Sequence, residues 1–181
     1  MEFTPTDISD VVLIKPSVFD DDRGFFMETY ESRAFADVGI RDHFVQDNHS
    51  GSRQGTLRGL HYQIRQPQGK LVRVVSGEIY DVAVDLRRTS RTLGDWIGIR
   101  LSAENRLQLW IPKGFAHGFY VVSDWADVIY KVTDFYSPED ERTLLWNDAT
   151  VGVRWPIAGH GPLLSSKDAV GLSLRGAELF E

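Results

Sequence analysis

The chain has 181 residues, 42% of them hydrophobic, a formal net charge of −6 and no cysteine. That length suits one domain with a proper core, spanning residues 1–181, and the absence of cysteine excludes disulfides and thiolate metal sites. The acidic balance argues against nucleic acid as a partner, because a phosphate backbone demands a basic face, and no apolar run approaches the roughly eighteen residues of a membrane span.

The first residues, Met1 to Asp7, lack the basic start and apolar run of a secretory signal, so a cytoplasmic protein is expected. A short helix is predicted over Glu31–Val38, ended by Gly39. Beyond it the pattern is that of strands. Tyr80, Val82, Val84 and Leu86 alternate onto one face, as do Ile97, Ile99 and Leu101, and then Leu107, Leu109 and Ile111. Turn signals separate these runs at Ser76-Gly77, Thr92-Leu93-Gly94, Ala103-Glu104-Asn105 and Pro112-Lys113-Gly114. In the run from Ala126 to Val132, alternation groups Tyr130 with Val128 and Val132 on the apolar, inward face. A helical turn is expected at Ser165–Ala169, started by a serine cap. Short strands at regular spacing, without long helices or repeats, indicate an all-β sandwich or barrel.

Five histidines stand at positions 43, 49, 61, 117 and 160. For His43, His49 and His160 the ordinary reading, a surface or satisfied core residue, is preferred. His117 lies in Pro112-Lys113-Gly114-Phe115-Ala116-His117-Gly118, which resembles the second short motif of cupins. The first cupin motif supplies two histidines and a glutamate as metal ligands. Here the matching stretch offers His61, then Gln63 and Lys70 in place of the second histidine and the glutamate. Lysine is a cation at neutral pH and not a ligand for a divalent metal, so a tight metal site is not expected.

A cavity holding a histidine and a lysine suits proton abstraction next to a carbonyl. His61 can be the base and Lys70 the cation facing the developing enolate. A carboxylate on the other ring nitrogen would improve the base, but the sequence alone does not say which one. Inversion also needs an acid on the opposite side, for which Tyr130 and then Tyr136 are the candidates. Two other readings compete: a metal-dependent cupin enzyme, against which Gln63 and Lys70 speak, and a small-molecule binder without turnover, which needs no two-faced acid–base pair.

Gly55-Thr56-Leu57-Arg58-Gly59-Leu60-His61-Tyr62-Gln63 is similar to the signature of the dTDP-4-dehydrorhamnose 3,5-epimerases. The resemblance runs from Asp22-Arg23-Gly24-Phe25-Phe26-Met27-Glu28 to Ser165-Ser166-Lys167-Asp168, nearly the whole chain. It implies a cupin-like jelly-roll barrel with a few short helices, and a homodimer with an exchanged N-terminal strand. It also implies cofactor-independent epimerisation of dTDP-4-dehydro-6-deoxy-D-glucose at C3 and C5 to dTDP-4-dehydro-L-rhamnose; relatives acting at one of these carbons are the alternative. The family pattern makes His61 the base, Asp168 its carboxylate, Tyr130 the acid and Lys70 the group at the enolate oxygen. Its substrate-binding positions fall on Arg23, Glu28, Gln46, Asp47, Asn48, Arg58, Lys70, His117, Glu141 and Lys167. Arg58 and Lys167 suit the diphosphate as charge-assisted donors, and Phe26 or Phe19 is the aromatic for stacking on thymine.

Overall fold

The structure, a computed structural model, describes every residue except 160, so His160 lies outside the described residues. In chain order the elements are β1 (Glu2–Pro5), β2 (Val12–Lys15), β3 (Val18–Asp21), β4 (Gly24–Met27), α1 (Ser32–Asp37), β5 (Gln46–Arg53), β6 (Leu57–Gln63) and β7 (Lys70–Ser76). They continue with β8 (Glu78–Asp85), β9 (Trp96–Ser102), β10 (Gln108–Ile111), β11 (Phe115–Val121), β12 (Trp125–Val132), β13 (Glu141–Thr143) and a 3-10 turn at Asp168–Val170. One sheet has the order β1-β2-β10-β7-β12-β5, a second the order β13-β6-β11-β8-β9, and β3 and β4 form a separate hairpin. All named pairings are antiparallel. This is the cupin-like jelly roll that the strand pattern and the resemblance implied.

The predicted alternation places side chains as expected and adds a layer. Ile97, Leu101, Leu109 and Ile111 are buried with Val72, Val74 and Val128 between the two large sheets. Val82, Val84 and Leu86 face away from that core and pack with Tyr80 under Trp155, Leu174 and Phe180 of the C-terminal segment. Strand β8 is therefore covered on both sides, and its alternate residues Asp81 and Asp85 are fully buried.

The helix expected over Glu31–Val38 forms over Ser32–Asp37, with Glu31 and Val38 as its caps. The Glu31 side chain accepts from the Ala34 N–H at 2.8 Å, Phe35 is buried, and Gly39 leaves the helix at φ +91°. At the C-terminal turn, Ser165 Oγ accepts from the Asp168 N–H at 3.1 Å, as a serine cap should, but the helical bonding settles at Asp168–Val170.

Two glycines bring β6 and β11 unusually close. A Cβ on Gly59 would stand 2.6 Å from Gly118 Cα, and one on Gly118 would stand 2.5 Å from the Arg58 carbonyl oxygen. Gly59 also sits at φ +120°, a region that side-chain-bearing residues avoid. The register shifts between His117 and Phe119 at this contact, and His117 ends opposite His61.

Candidate active site

Between the open ends of the two large sheets lies a cavity of about 380 Å³ lined by polar side chains. His61 enters from β6, His117 from β11 and Glu141 from β13, all in the five-stranded sheet. Lys70 enters from β7, Tyr130 from β12, and Gln46 and Asn48 from β5, all in the facing sheet. Arg58 joins from β6, and Lys167 and Asp168 from the C-terminal segment.

His61 Nε2 is 2.5 Å from Asp168 Oδ1, and Ser165 Oγ donates to Asp168 Oδ2 at 2.8 Å. Burial pushes the Asp168 carboxyl up, but the hydrogen bond and charge of His61, with help from Ser165, outweigh it and hold the group below the usual carboxylate range. An ionised Asp168 fixes the proton on Nε2 and leaves Nδ1 as the basic edge of the ring. The carboxylate that sequence reading of the residues left open is thus placed at His61, as the family pattern implied.

Lys70 is buried, and its Nζ reaches across the cavity to donate to the His61 carbonyl oxygen at 3.4 Å. Burial pushes its pKa down to about 8, with the charges of Asp81 and Glu141 working against the fall. On the same sheet Tyr130 lies opposite Asn48 and Val72 in register. Burial raises the Tyr130 phenol, and the Arg58 charge only partly offsets this, so the group is protonated at neutral pH. Base and phenol thus stand on facing walls.

Tyr136, the rival for the acid, sits on the loop after β12, is 53% exposed, and donates to Glu141 Oε2 at 2.9 Å. Glu141 Oε1 accepts from Lys167 Nζ at 2.6 Å. Burial raises Glu141, but these two hydrogen bonds prevail and keep it ionised. Arg58 Nε is held by Ser52 Oγ at 2.9 Å, and Gln46 donates to Asn48 at 2.8 Å.

Four positions expected to bind substrate are not brought to this cavity. Asp47 alternates outward from β5 and pairs with Lys131 at 2.9 Å, because strand geometry sends it to the face opposite Gln46 and Asn48. Arg23, Phe26 and Glu28 belong to the exposed β3–β4 hairpin and its exit, where Arg23 pairs with Asp21 and Phe26 is 69% exposed. Phe19 and Phe26 lie 6.4 Å apart by ring centroid on that hairpin. Of the histidines given the ordinary reading, His43 is exposed, and His49 faces outward beside Asp127.

The metal question turns on the donors. Gln63 lines the cavity, but its carboxamide is tied to Gln66 O, Phe135 O and the Ser137 N–H, so its polar atoms are committed to the neighbouring loops. No group of three His, Asp, Glu or Cys residues among the described residues is arranged to hold a metal ion. Among the described residues no helix is long and apolar enough to cross a membrane.

Sequence reasoning missed two supporting groups. Ser165, read only as a cap, also holds Asp168. Asp81 meets His117 Nε2 at 2.9 Å behind the cavity lining. A charged residue inside the apolar run of β8 was the available signal.

The dTDP-4-dehydrorhamnose 3,5-epimerase family profile matches residues 5–176. A dTDP-4-dehydrorhamnose 3,5-epimerase from Pseudomonas aeruginosa is 57% identical over 181 residues, covering 99% of both chains. One from Shigella flexneri is 52% identical over 182 residues, again covering 99% of both. The crystal structure of a dTDP-6-deoxy-D-glucose-3,5-epimerase from Legionella pneumophila, in complex with dTDP-4-keto-L-rhamnose, superposes with a TM-score of 0.95 at 48% identity, covering 98% of this chain and 94% of that one. The chain belongs to the dTDP-4-dehydrorhamnose 3,5-epimerase family.

Proposed function

We propose that this protein epimerises dTDP-4-dehydro-6-deoxy-D-glucose at C3 and C5 to dTDP-4-dehydro-L-rhamnose. The observation that carries the reading is the His61–Asp168 pair on one wall of the cavity with the Tyr130 phenol on the facing wall. Both carbons flank the C4 ketone, so one chemistry serves twice. His61 Nδ1 removes the proton from carbon, and the electron pair moves onto the ketone oxygen. Lys70 meets the charge that develops there. Tyr130 delivers its proton from the other side, which inverts the centre, and Arg58 steadies the phenolate until it is reprotonated. Asp168 stabilises the imidazolium without itself taking the proton. Lys70 supplies the electrostatic role that a metal plays in other cupins, so the reaction is read as metal-free.

Lys167 and Arg58, which line the cavity, are read as the cations that take the diphosphate on an otherwise acidic protein. We also read the protein as one domain that works as a homodimer. The N-terminal strand β1 pairs with β2 of its own chain, so the element offered for exchange is the β3–β4 hairpin, which has no large sheet of its own. In a dimer it would bring Arg23, Phe26 and Glu28 to the partner's cavity.

The test is proton NMR in heavy water on the 4-keto sugar nucleotide. Solvent deuterium should enter at C3 and C5, with inversion at both and no loss of rate in chelator. Inversion at one carbon only would reassign the protein to a mono-epimerase, and ligand binding without exchange would end the enzymatic reading.

A further inference from the structure

Beside the cavity, one buried carboxylate has no role in the chemistry above. Asp81, on β8, is 0% exposed. Its Oδ2 meets His117 Nε2 at 2.9 Å, and its Oδ1 is buried with no hydrogen-bond partner among the described residues. The other two carboxylates at the cavity are fully committed: Asp168 to His61 and Ser165, Glu141 to Lys167 and Tyr136. An ionised carboxylate out of water with a single hydrogen bond is costly unless cations balance it. Two groups stand on the cavity side to do so. His117 touches Asp81 directly, and its side chain is 7% exposed where the ring lines the cavity. Lys70 lies across the cavity, has no carboxylate hydrogen bond, and feels Asp81 as the strongest charge favouring its ammonium form.

We propose that Asp81 is a positioning residue for the epimerisation: its buried carboxylate orients His117 and holds His117 and Lys70 as a cationic pair facing the sugar's ketone oxygen. The inference rests on the reading of the cavity as an epimerase site. The groups facing Lys70 are His61 and Arg58 from β6, Asp81 from β8, His117 from β11, Tyr130 from β12, Glu141 from β13 and Lys167 from the C-terminal segment. Burial lowers the Lys70 pKa, so the charged form is lost as pH rises through about 8. Removing Asp81's charge removes the main opposing influence, and the loss must move to lower pH.

The experiment measures kcat and KM for epimerisation against pH in the full-length protein and in Asp81→Asn, an isosteric change that keeps an oxygen acceptor for His117. The parent should lose kcat on the alkaline side with a midpoint near 8. In Asp81→Asn that midpoint should fall by about one pH unit or more, the ordinary effect of a nearby opposite charge. At neutral pH kcat should fall roughly 10- to 100-fold with KM changed by less than about threefold, because the cations act on charge that develops only in the transition state. An unchanged alkaline limb in a folded Asp81→Asn protein would overturn the proposal, since lost packing alone does not move a pH midpoint. Nitrogen NMR of histidine-labelled parent protein, with His117 assigned through His117→Gln, provides a second measurement that needs no folded Asp81 variant. The His117 ring should carry protons on both nitrogens at neutral pH. A singly protonated ring at neutral pH would overturn the cationic pair. If the parent neither exchanges deuterium nor epimerises, the functional reading fails, while the nitrogen spectra still report on the Asp81–His117 pair.

Discussion

Two histidine–aspartate pairs meet the same cavity, and they are built differently. His61 takes its carboxylate from a C-terminal turn 107 positions away, whereas His117 takes one from the adjoining strand, 36 positions away. The first ring is 27% exposed at its side chain, and the carboxylate behind it is held in turn by Ser165. The second pair is almost sealed, 7% and 0% exposed, with one carboxylate oxygen unpartnered among the described residues. Identical residue types therefore meet different physics. A ring open to the cavity and backed by a satisfied anion can take and return a proton. A sealed ring on an unsatisfied anion is suited to hold a fixed charge.

The sharpest way to break this contrast is at Asp168. Asp168→Asn removes the anion that stabilises the His61 imidazolium, and turnover should fall by several powers of ten, on the order of 10⁴. Affinity for dTDP, measured by calorimetry, should stay close to that of the parent. Near-normal turnover would mean that the open pair is not the proton-transfer pair.

Tyr130→Phe tests whether the second proton comes from the facing wall. Epimerised product should fall roughly 10²- to 10⁴-fold, the range of one general acid–base contribution. Deuterium exchange at C5 should persist, because His61 can still remove a proton and return it to the same side. His61→Asn should lose exchange and product together. If Tyr130→Phe inverts both centres at close to the parent rate, Tyr130 is only packing and Tyr136 becomes the acid to test.

Ser165→Ala probes the support behind the open pair more gently. It deletes one neutral hydrogen bond to Asp168, and such bonds contribute about 1 kcal/mol, so kcat should fall by about five- to tenfold. The acid limb of the pH profile should also move up, because the lost bond helps to hold the Asp168 carboxyl low. A kcat and acid limb unchanged from the parent would show that the turn positions Asp168 by backbone alone.

The smallest effect is expected outside the cavity. Phe26→Ala should raise KM for the sugar nucleotide by roughly 3- to 10-fold, the scale of one aromatic contact. Thermal stability should barely change, since the ring is 69% exposed on its hairpin. Unchanged KM would take the hairpin out of substrate binding.

Much of this was readable along the chain because it depends on local rules. Glu31 and Gly39 bracket the helix through capping and a positive φ. Alternation turns Tyr130 inward with Val128 and Val132, and the same rule, applied to β5, separates Gln46 and Asn48 from outward-facing Asp47. Lysine chemistry at position 70 argues against a metal ligand before any distance is known. Asp168 could be attached to His61 only through the family pattern, since a separation of 107 positions leaves no local signal.

By itself the sequence determined the strand-rich barrel, the inward faces and the residue types of an acid–base cavity, because side-chain periodicity and intrinsic chemistry act over a few neighbouring residues. Only the tertiary structure decided which carboxylate serves which histidine, that Asp81 is buried with an oxygen unpaired, and that the β3–β4 hairpin stands away from its own cavity. Those outcomes depend on how far water is excluded and on contacts between segments distant along the chain. Neither quantity is written in local spacing.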